Sequence, residues 1–484
     1  MRVLEGIMPE RVMYYFEEIT RIPRCSHKEK EISDYLVRTG KDLGLQVIQD
    51  EALNVIVKKE GFEGYENSPV LVLQGHMDMV CEKTEDSSHD FSKDPIKIEI
   101  EDDYIIAKET TLGADNGIAL AMILAILESK DIAHPPIEAL FTSDEESGMS
   151  GALALDPKNI DGRILINLDS EEEGTALVSC AGGERNIVSI GLEWEDLAGD
   201  REFFELSLSG LQGGHSGMEI NNGRGNSNKL MGRILDYLSK KLDLSLSYIE
   251  GGSKSNAIPR FTRVTIAIGK EDIDELNASL SSIERDLQNE LVHTDGDIKI
   301  NLNPVDNTDK RVFTKETMEK IISALVLIPN GVQSMSGAIE GLVESSTNLG
   351  VVKTEQDRVT LESSIRSSVG TLKAHISNQI QLLCQCIGAS SESLSAYPAW
   401  QYKDESYIRD MLKETYREIY NEEINISAIH AGLECGLFDE KFDDMDMISF
   451  GPNMYGVHAP GEKLSISSTG RIYEFLLKLL EKIR

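Results

Sequence analysis

Cysteine is scarce: the 484 residues hold six, Cys25, Cys81, Cys180, Cys384, Cys386 and Cys435. Thiols so few and scattered exclude a disulfide scaffold and suit a reducing compartment. One residue separates Cys384 from Cys386, which is not the redox CxxC spacing, and no zinc-finger spacing occurs. Long apolar runs are missing as well. No stretch of about 18 or more apolar residues is present, so no transmembrane helix is expected. The opening MRVLEGIMPERVMYYF carries charges inside its apolar run and does not read as a signal peptide. Positive charge is in deficit, with 48 basic against 83 acidic residues and a formal net charge of −35. Such a surface repels phosphate backbones and anionic membranes, which argues against nucleic acid and membrane as partners. A soluble, cytoplasmic protein is expected.

What is present is ordinary globular material, 40% hydrophobic and 27% charged, in a chain too long for one core. Two domains are the natural expectation. The first 180 or so residues alternate strand-like runs (70–74, VLVLQ; 137–142, IEALFT; 163–168, RILINL) with helix-like ones (114–129). That alternation predicts an α/β fold with a mixed, mostly parallel sheet flanked by helices. Each strand runs straight into an acidic or histidine-bearing loop: LVLQ-GHMD, LFT-SDEES, ILIN-LDS. Ligands bind such sheets beyond the carboxyl ends of the strands, so these loops are expected to gather at one edge.

From about residue 183 to 390 the pattern changes. Half-buried alternation over 202–210, 260–268 and 357–364 is interleaved with helices over 227–242, 271–291 and 371–387. This predicts a separate α+β domain, with a hint of two halves but no clear repeat. After about 396 the helix and strand patterns return, and ISFG at 448–451 leads into PNMYGVHAPGEKL. If that strand joins the first sheet, the middle is an insertion, which chain termini lying close together make easy. The expected division is a catalytic domain from 1–184 and 395–484, with an inserted lid or substrate-binding domain at 185–394.

The candidate chemistry lies in five loops. Taken singly, His76 in GHMD, Asp115 in GADNG, Glu145 and Glu146 in SDEES, Asp169 in NLDS and His458 in VHAP are ordinary loop or helix-cap residues. Taken together, two histidines and three carboxylates suit a pair of zinc ions bridged by one carboxylate. Paired metals sit roughly 3.5–4 Å apart, a gap that one Asp spans with its two oxygens, and Asp115 is central in order. Asp78 is placed to orient His76. Of Glu145 and Glu146, one can bind metal while the other serves as general base.

GHMDMV, TTLGADNGIA, TSDEESGMSGA, INLDSEE and VHAPGEKL resemble, in order and spacing, segments of the carnosinase, aminoacylase and carboxypeptidase G family of zinc peptidases. The resemblance spans nearly the whole chain, and MPERVMYYFEEITRIPRCS, CAGGER, GLQGGHSG, SNAIPR and IHAGLECG extend it. It implies that His76, Asp115 and Asp169 bind one zinc and that Asp115, Glu146 and His458 bind the other. It makes Glu145 the base and Asp78 the support of His76. It also implies a cis peptide at Asp115–Asn116. Relatives with Asp at the position of Asp169 tend to act on substrates with a free amino terminus. His215 resembles the histidine that contacts the scissile carbonyl, Asn256 and Arg366 resemble substrate-binding positions, and His430, Gly432 and Glu434 are expected to line the pocket.

The activity so implied is a di-zinc dipeptidase acting on L-dipeptides, Xaa-His pairs and β-alanyl-histidine among them, with Co2+ or Mn2+ as substitute metals. The alternatives are an N-acyl amino acid amidohydrolase, a non-catalytic metal-binding relative, and, more remotely, a two-metal phosphoesterase. Small-lid relatives dimerise through the lid, so a homodimer, with His215 acting in its own chain or on a partner, stays open.

Overall fold

The computed structural model describes residues 2–197, 199–306 and 310–484. The chain divides into two compact units. One comprises Met1–Ser179, Tyr402–Ala428 and Leu433–Arg484; the other comprises Cys180–Gln401 and Ile429–Gly432. Against the expected 184/185 and 394/395, the chain changes unit at 179/180 and 401/402. The reason is pairing: the strand Gly182–Gly191 is bonded along its length to Arg358–Ser367 and to Ser390–Tyr397. The assignment of Ile429–Gly432 to the second unit was not anticipated.

The first unit is built on an eight-stranded sheet of β1 (Gln46–Gln49), β2 (Val55–Lys59), β3 (Leu71–His76), β4 (Ile137–Thr142), β5 (Ile164–Asn167), β6 (Thr175–Cys180), β7 (Asn425–Ile429) and β8 (Asp446–Ser449). The strand order is β1-β2-β4-β3-β5-β8-β6-β7. The four central strands, β4, β3, β5 and β8, are parallel neighbours. The pairs β1–β2, β2–β4 and β8–β6 are antiparallel. This is a mixed α/β sheet with a parallel centre, and the tail strand β8 lies inside it beside β5. Every residue of β3 and β4 is buried, as continuous apolar strands covered on both faces require.

The helix Ala114–Glu128 packs on β3 and on the helix Glu10–Ile19. It is apolar all round and buried from Ala114 to Leu127, as a helix enclosed by other elements must be. Its closeness to the sheet is set at Gly75, where a Cβ would lie 2.5 Å from Asn116 Oδ1 and 2.8 Å from Ala119 Cβ. No described helix is long and apolar enough to cross a membrane.

The second unit holds a nine-stranded antiparallel sheet. Its two halves join where Glu250 and Gly251 pair with Lys353 and Val352. Helices Ser227–Ser239, Ile273–Glu290, Lys315–Leu327 and Gly370–Ile387 contribute to this unit, and a common core contains Leu206, Met231, Ile266, Leu325, Leu349 and Ile380.

One expectation about cysteine is corrected. Cys25 and Cys81 form a disulfide with Cα atoms 5.7 Å apart. Although 56 residues separate them in sequence, Cys25 forms a parallel bridge with Met79. Arg24 ties the same two segments together by donating to the carbonyls of Met77 and Asp78. Scarcity alone does not reveal such a pairing.

Adding a methyl group at Gly75 would force the buried helix off β3. Gly75→Ala is expected to lower unfolding free energy by about 1–3 kcal/mol, the usual range for overpacking a core. Urea denaturation with an unchanged m-value checks it.

Candidate metal centre

The sheet delivers the expected ligands to one place. His76 is the last residue of β3, and Asp169 lies two residues beyond β5. Asp115 is the second residue of the buried helix but has non-helical φ −80° and ψ 104°, and the Asp115–Asn116 peptide is cis. Glu145 and Glu146 open the one-turn helix Glu145–Gly148 after β4, entered through left-handed Asp144 (φ 55°). His458 sits beyond β8, also left-handed (φ 62°).

Asp115 is shared between two histidines. Its Oδ1 lies 3.0 Å from His76 Nε2, and its Oδ2 lies 3.0 Å from His458 Nε2. His76 Nε2 is also 3.3 Å from Asp169 Oδ1, and His458 Nε2 is 2.9 Å from Glu146 Oε2. The donor atoms of His76, Asp115 and Asp169 lie within 4.8 Å of one another, as do those of Asp115, Glu146 and His458. Asp115 is common to these two groups, and His76, Glu145 and Glu146 form a third whose donor atoms lie equally close.

The donor chemistry fits a pair of cations. Glu146 Oε1 and Asp169 Oδ1 are buried without a hydrogen-bond partner, an arrangement that is costly unless something else satisfies them. Burial alone would strip the proton from His76, but Asp169, Asp115 and Asp78 outweigh it and raise its pKa well above the usual imidazole range. Hydrogen bonds to Asp115 and Glu146 push His458 up to about 11. Burial would raise Asp115, yet His458 and His76 hold it below the usual carboxylate range. Burial raises Glu145 well above that range, with Asp169, Glu434 and Glu146 adding to the effect and His76 opposing it.

The support is dense. Asp78 accepts from Glu145 N at 3.0 Å, Glu146 N at 3.2 Å and Ser26 Oγ at 2.8 Å, and its Oδ1 lies 3.3 Å from His76 Nδ1. Burial would raise Asp78, but His76 and these donors bring it down to about 2. One carboxylate therefore fixes both the histidine and the Glu145–Glu146 turn. Glu462, to which the sequence assigned no role although it stands in VHAPGEKL, accepts from the backbone N–H groups of Leu112, Gly113, Ala114 and Asp115. Arg24, buried and lowered to about 10 by that burial, donates to the carbonyls of Met77, Asp78 and Gly113. A second carboxylate group, Glu29, Asp78 and Asp144, has its hydrogen-bonding needs met by Ser26, Ser147, Ser150 and the backbone N–H of His27.

The second unit gathers most of the remaining candidates. His215 lies on a two-residue strand paired with Ala257 and Ile258, and Ser216 N donates to Asn256 O at 2.9 Å, so His215 and Asn256 are neighbours. His215 Nδ1 accepts from Gly217 N and Met218 N at 3.3 and 3.1 Å, which leaves the ring proton on Nε2. A cavity of about 730 Å³ borders both residues. Arg366 is 9% exposed and donates to Tyr397 Oη at 3.0 Å, while its Nε has no partner. His430 Nε2 is 2.7 Å from Ser346 Oγ, and burial, with Arg366 and His215 adding to it, lowers His430 to about 4. Gly432 ends the same short segment. Tyr397 and Ser346 carried no sequence signal. Glu434, expected to line the pocket, belongs to the first unit, where Gln74 and Thr142 donate to it.

Comparison with known proteins places the chain in a family. The profile of peptidase family M20/M25/M40 matches residues 72–482. The chain is 39% identical over 483 residues to the cytosol non-specific dipeptidase of Escherichia coli K12, covering 100% of this chain and 99% of that one. It is similar to the crystal structure of aminoacylhistidine dipeptidase from Vibrio alginolyticus, with a TM-score of 0.95 and 40% identity over 99% of this chain and 98% of that one. The aminopeptidase PepT of Bacillus cereus shares the fold at a TM-score of 0.59 and 16% identity, with 99% of each chain covered.

Because His76 and His458 are held protonated by their carboxylates, a cation must displace protons to bind. Affinity for Zn2+ is therefore expected to rise as pH rises, by about tenfold per pH unit for each proton displaced. Chelator competition between about pH 6 and 8, with proton release followed in buffers of different ionisation enthalpy, measures the slope.

Proposed function

This chain belongs to peptidase family M20/M25/M40 and is a hydrolytic peptidase, and from that premise we propose that it is a cytosolic di-zinc dipeptidase. The observation that carries the reading is Asp115, which places one oxygen in each of two three-residue ligand sets. When bound, paired zinc ions polarise the scissile carbonyl and acidify a water. Glu145 takes the proton of the attacking water at its carboxylate and hands it to the leaving amine. Burial supports this role, because a carboxyl raised above its usual range holds a proton more readily once it has taken one. Asp78 keeps His76 and the Glu145 turn in place.

The residues that resemble substrate-binding positions keep those roles in this reading. His215, with its proton on Nε2, donates to the carbonyl oxygen as charge builds there. The unpaired edge of the Arg366 guanidinium grips the C-terminal carboxylate, and Tyr397 holds that fork in position. Asn256, His430 and Gly432 line the substrate side. A pocket that holds both termini counts two residues. Asp169, by resemblance to relatives that take free amino termini, favours dipeptides over N-acyl amino acids. The names of the Escherichia coli and Vibrio relatives support dipeptides and aminoacyl-histidine pairs as the substrate class.

Glu145→Ala is expected to retain two zinc equivalents while kcat falls by about 10²–10⁴-fold. Metal analysis beside turnover checks both halves, and near-normal turnover sinks the assignment of the base. Assayed side by side, Xaa-His dipeptides are expected to be cleaved well and tripeptides and N-acyl amino acids poorly. A preference for N-acyl amino acids would move the protein to the acylase reading.

A further inference from the structure

One pleat behind the ligands lies a row of buried polar side chains that the proposed mechanism does not use. Gln74 is two residues before His76 on β3, so both side chains lie on the same face. Asn167 is two residues before Asp169. Gln74 pairs with Asn167 across β3 and β5, and His76 pairs with Thr142 across β3 and β4. Glu434, 1% exposed, begins the helix Glu434–Lys441 and closes the row.

The hydrogen bonds of this row run in one direction. Asp169 N donates to Asn167 Oδ1 at 3.3 Å, and Asn167 Nδ2 donates to Gln74 Oε1 at 2.5 Å. Gln74 Nε2 donates to Glu434 Oε2 at 2.6 Å and to Thr142 Oγ1 at 3.1 Å. Thr142 Oγ1 donates to the same Glu434 oxygen at 2.7 Å. Glu434 Oε1 is buried with no partner.

We propose that Glu434 is a positioning residue, whose Oε2 sets the polarity of a buried Glu434–Gln74–Asn167 chain and through it the placing of Asp169 against His76. An amide side chain can sit either way round, with oxygen and nitrogen exchanged. Glu434 Oε2 turns the Gln74 NH2 toward itself. Gln74 then presents oxygen to Asn167, and Asn167 presents oxygen to the N–H of Asp169. Reversing the chain would set the Asn167 NH2 against that N–H, donor against donor, and push the Asp169 loop away from β3. Burial pushes Glu434 up to about 8, yet a proton on Oε1 leaves Oε2 an acceptor, so the row holds whether or not Glu434 is charged.

The proposal rests on the metal-centre reading and departs from the placing of Glu434 against substrate. Groups that orient metal ligands typically contribute about 10–100-fold in metal affinity. Glu434→Met keeps the length of the side chain and removes the acceptor. It is expected to weaken Zn2+ binding at one of the two sites by about tenfold or more in chelator competition. At saturating Zn2+, its KM for an Xaa-His dipeptide should stay within about twofold of wild type, because substrate contacts are untouched. Glu434→Gln, which offers a carbonyl oxygen in the same place, should restore near-wild-type affinity. Asn167→Leu, which breaks the row at its other end and leaves the helix alone, should reproduce the loss. Wild-type affinity in Glu434→Met, with or without a raised KM, overturns the proposal, and so does a Glu434→Gln variant as weak as Glu434→Met. A wild-type chain that binds no Zn2+ overturns the metal-centre reading itself.

Discussion

Everything in the first unit answers to one electrostatic problem: carboxylates crowded together out of water. Asp78, Asp115, Glu145, Glu146, Asp169 and Glu434 all lie within the reach of His76 and His458 or of the side chains that support them. Unpaired buried charge of one sign is among the most costly arrangements a fold can hold. The chain meets it with what it has: protonated histidines, backbone N–H groups turned onto Asp78 and Glu462, and a buried arginine at the turn before the central helix. Glu146 Oε1 and Asp169 Oδ1 still lack a hydrogen-bond partner, although the second lies 3.3 Å from His76 Nε2.

Within the second unit, Arg366 stands among two histidines, His215 and His430. Burial, with Arg366 adding to it, lowers His215, and burial, with Arg366 and His215 adding to it, lowers His430 to about 4. A neutral, hydrogen-bonded imidazole beside a partly unpaired guanidinium is suited to a carboxylate ligand, because the guanidinium then supplies the charge and the imidazole the direction.

The metal loops were legible because each follows a short apolar run that can only be a buried strand, and the residue just past such a run must lie at the sheet edge. That logic located His76, Glu145, Glu146 and Asp169, and it placed the tail strand before His458. It had no purchase on residues that act at a distance in sequence. Glu462 closes on Asp115 from almost 350 positions away, and Tyr397 reaches Arg366 across the one strand between theirs, Gly182–Gly191. The strand Val343–Thr354 has no apolar alternation over its first half, because its buried positions there include Ser345, Ser346 and Asn348. Those same polar residues are what hold His430 and the Asn256 segment, through Ser346 Oγ and Asn348 Nδ2. Function broke the strand pattern there.

The short return of Ile429–Gly432 to the second unit has a consequence for how such a protein can change. The chain passes between units four times, at 179/180, 401/402, 428/429 and 432/433. The second unit is therefore not a cassette. Recombination that replaced residues 180–401 with another lid would leave His430 and Gly432 behind, fitted to a partner no longer there. Exchange of the whole unit needs two simultaneous replacements, so its variation is steered toward gradual substitution in place.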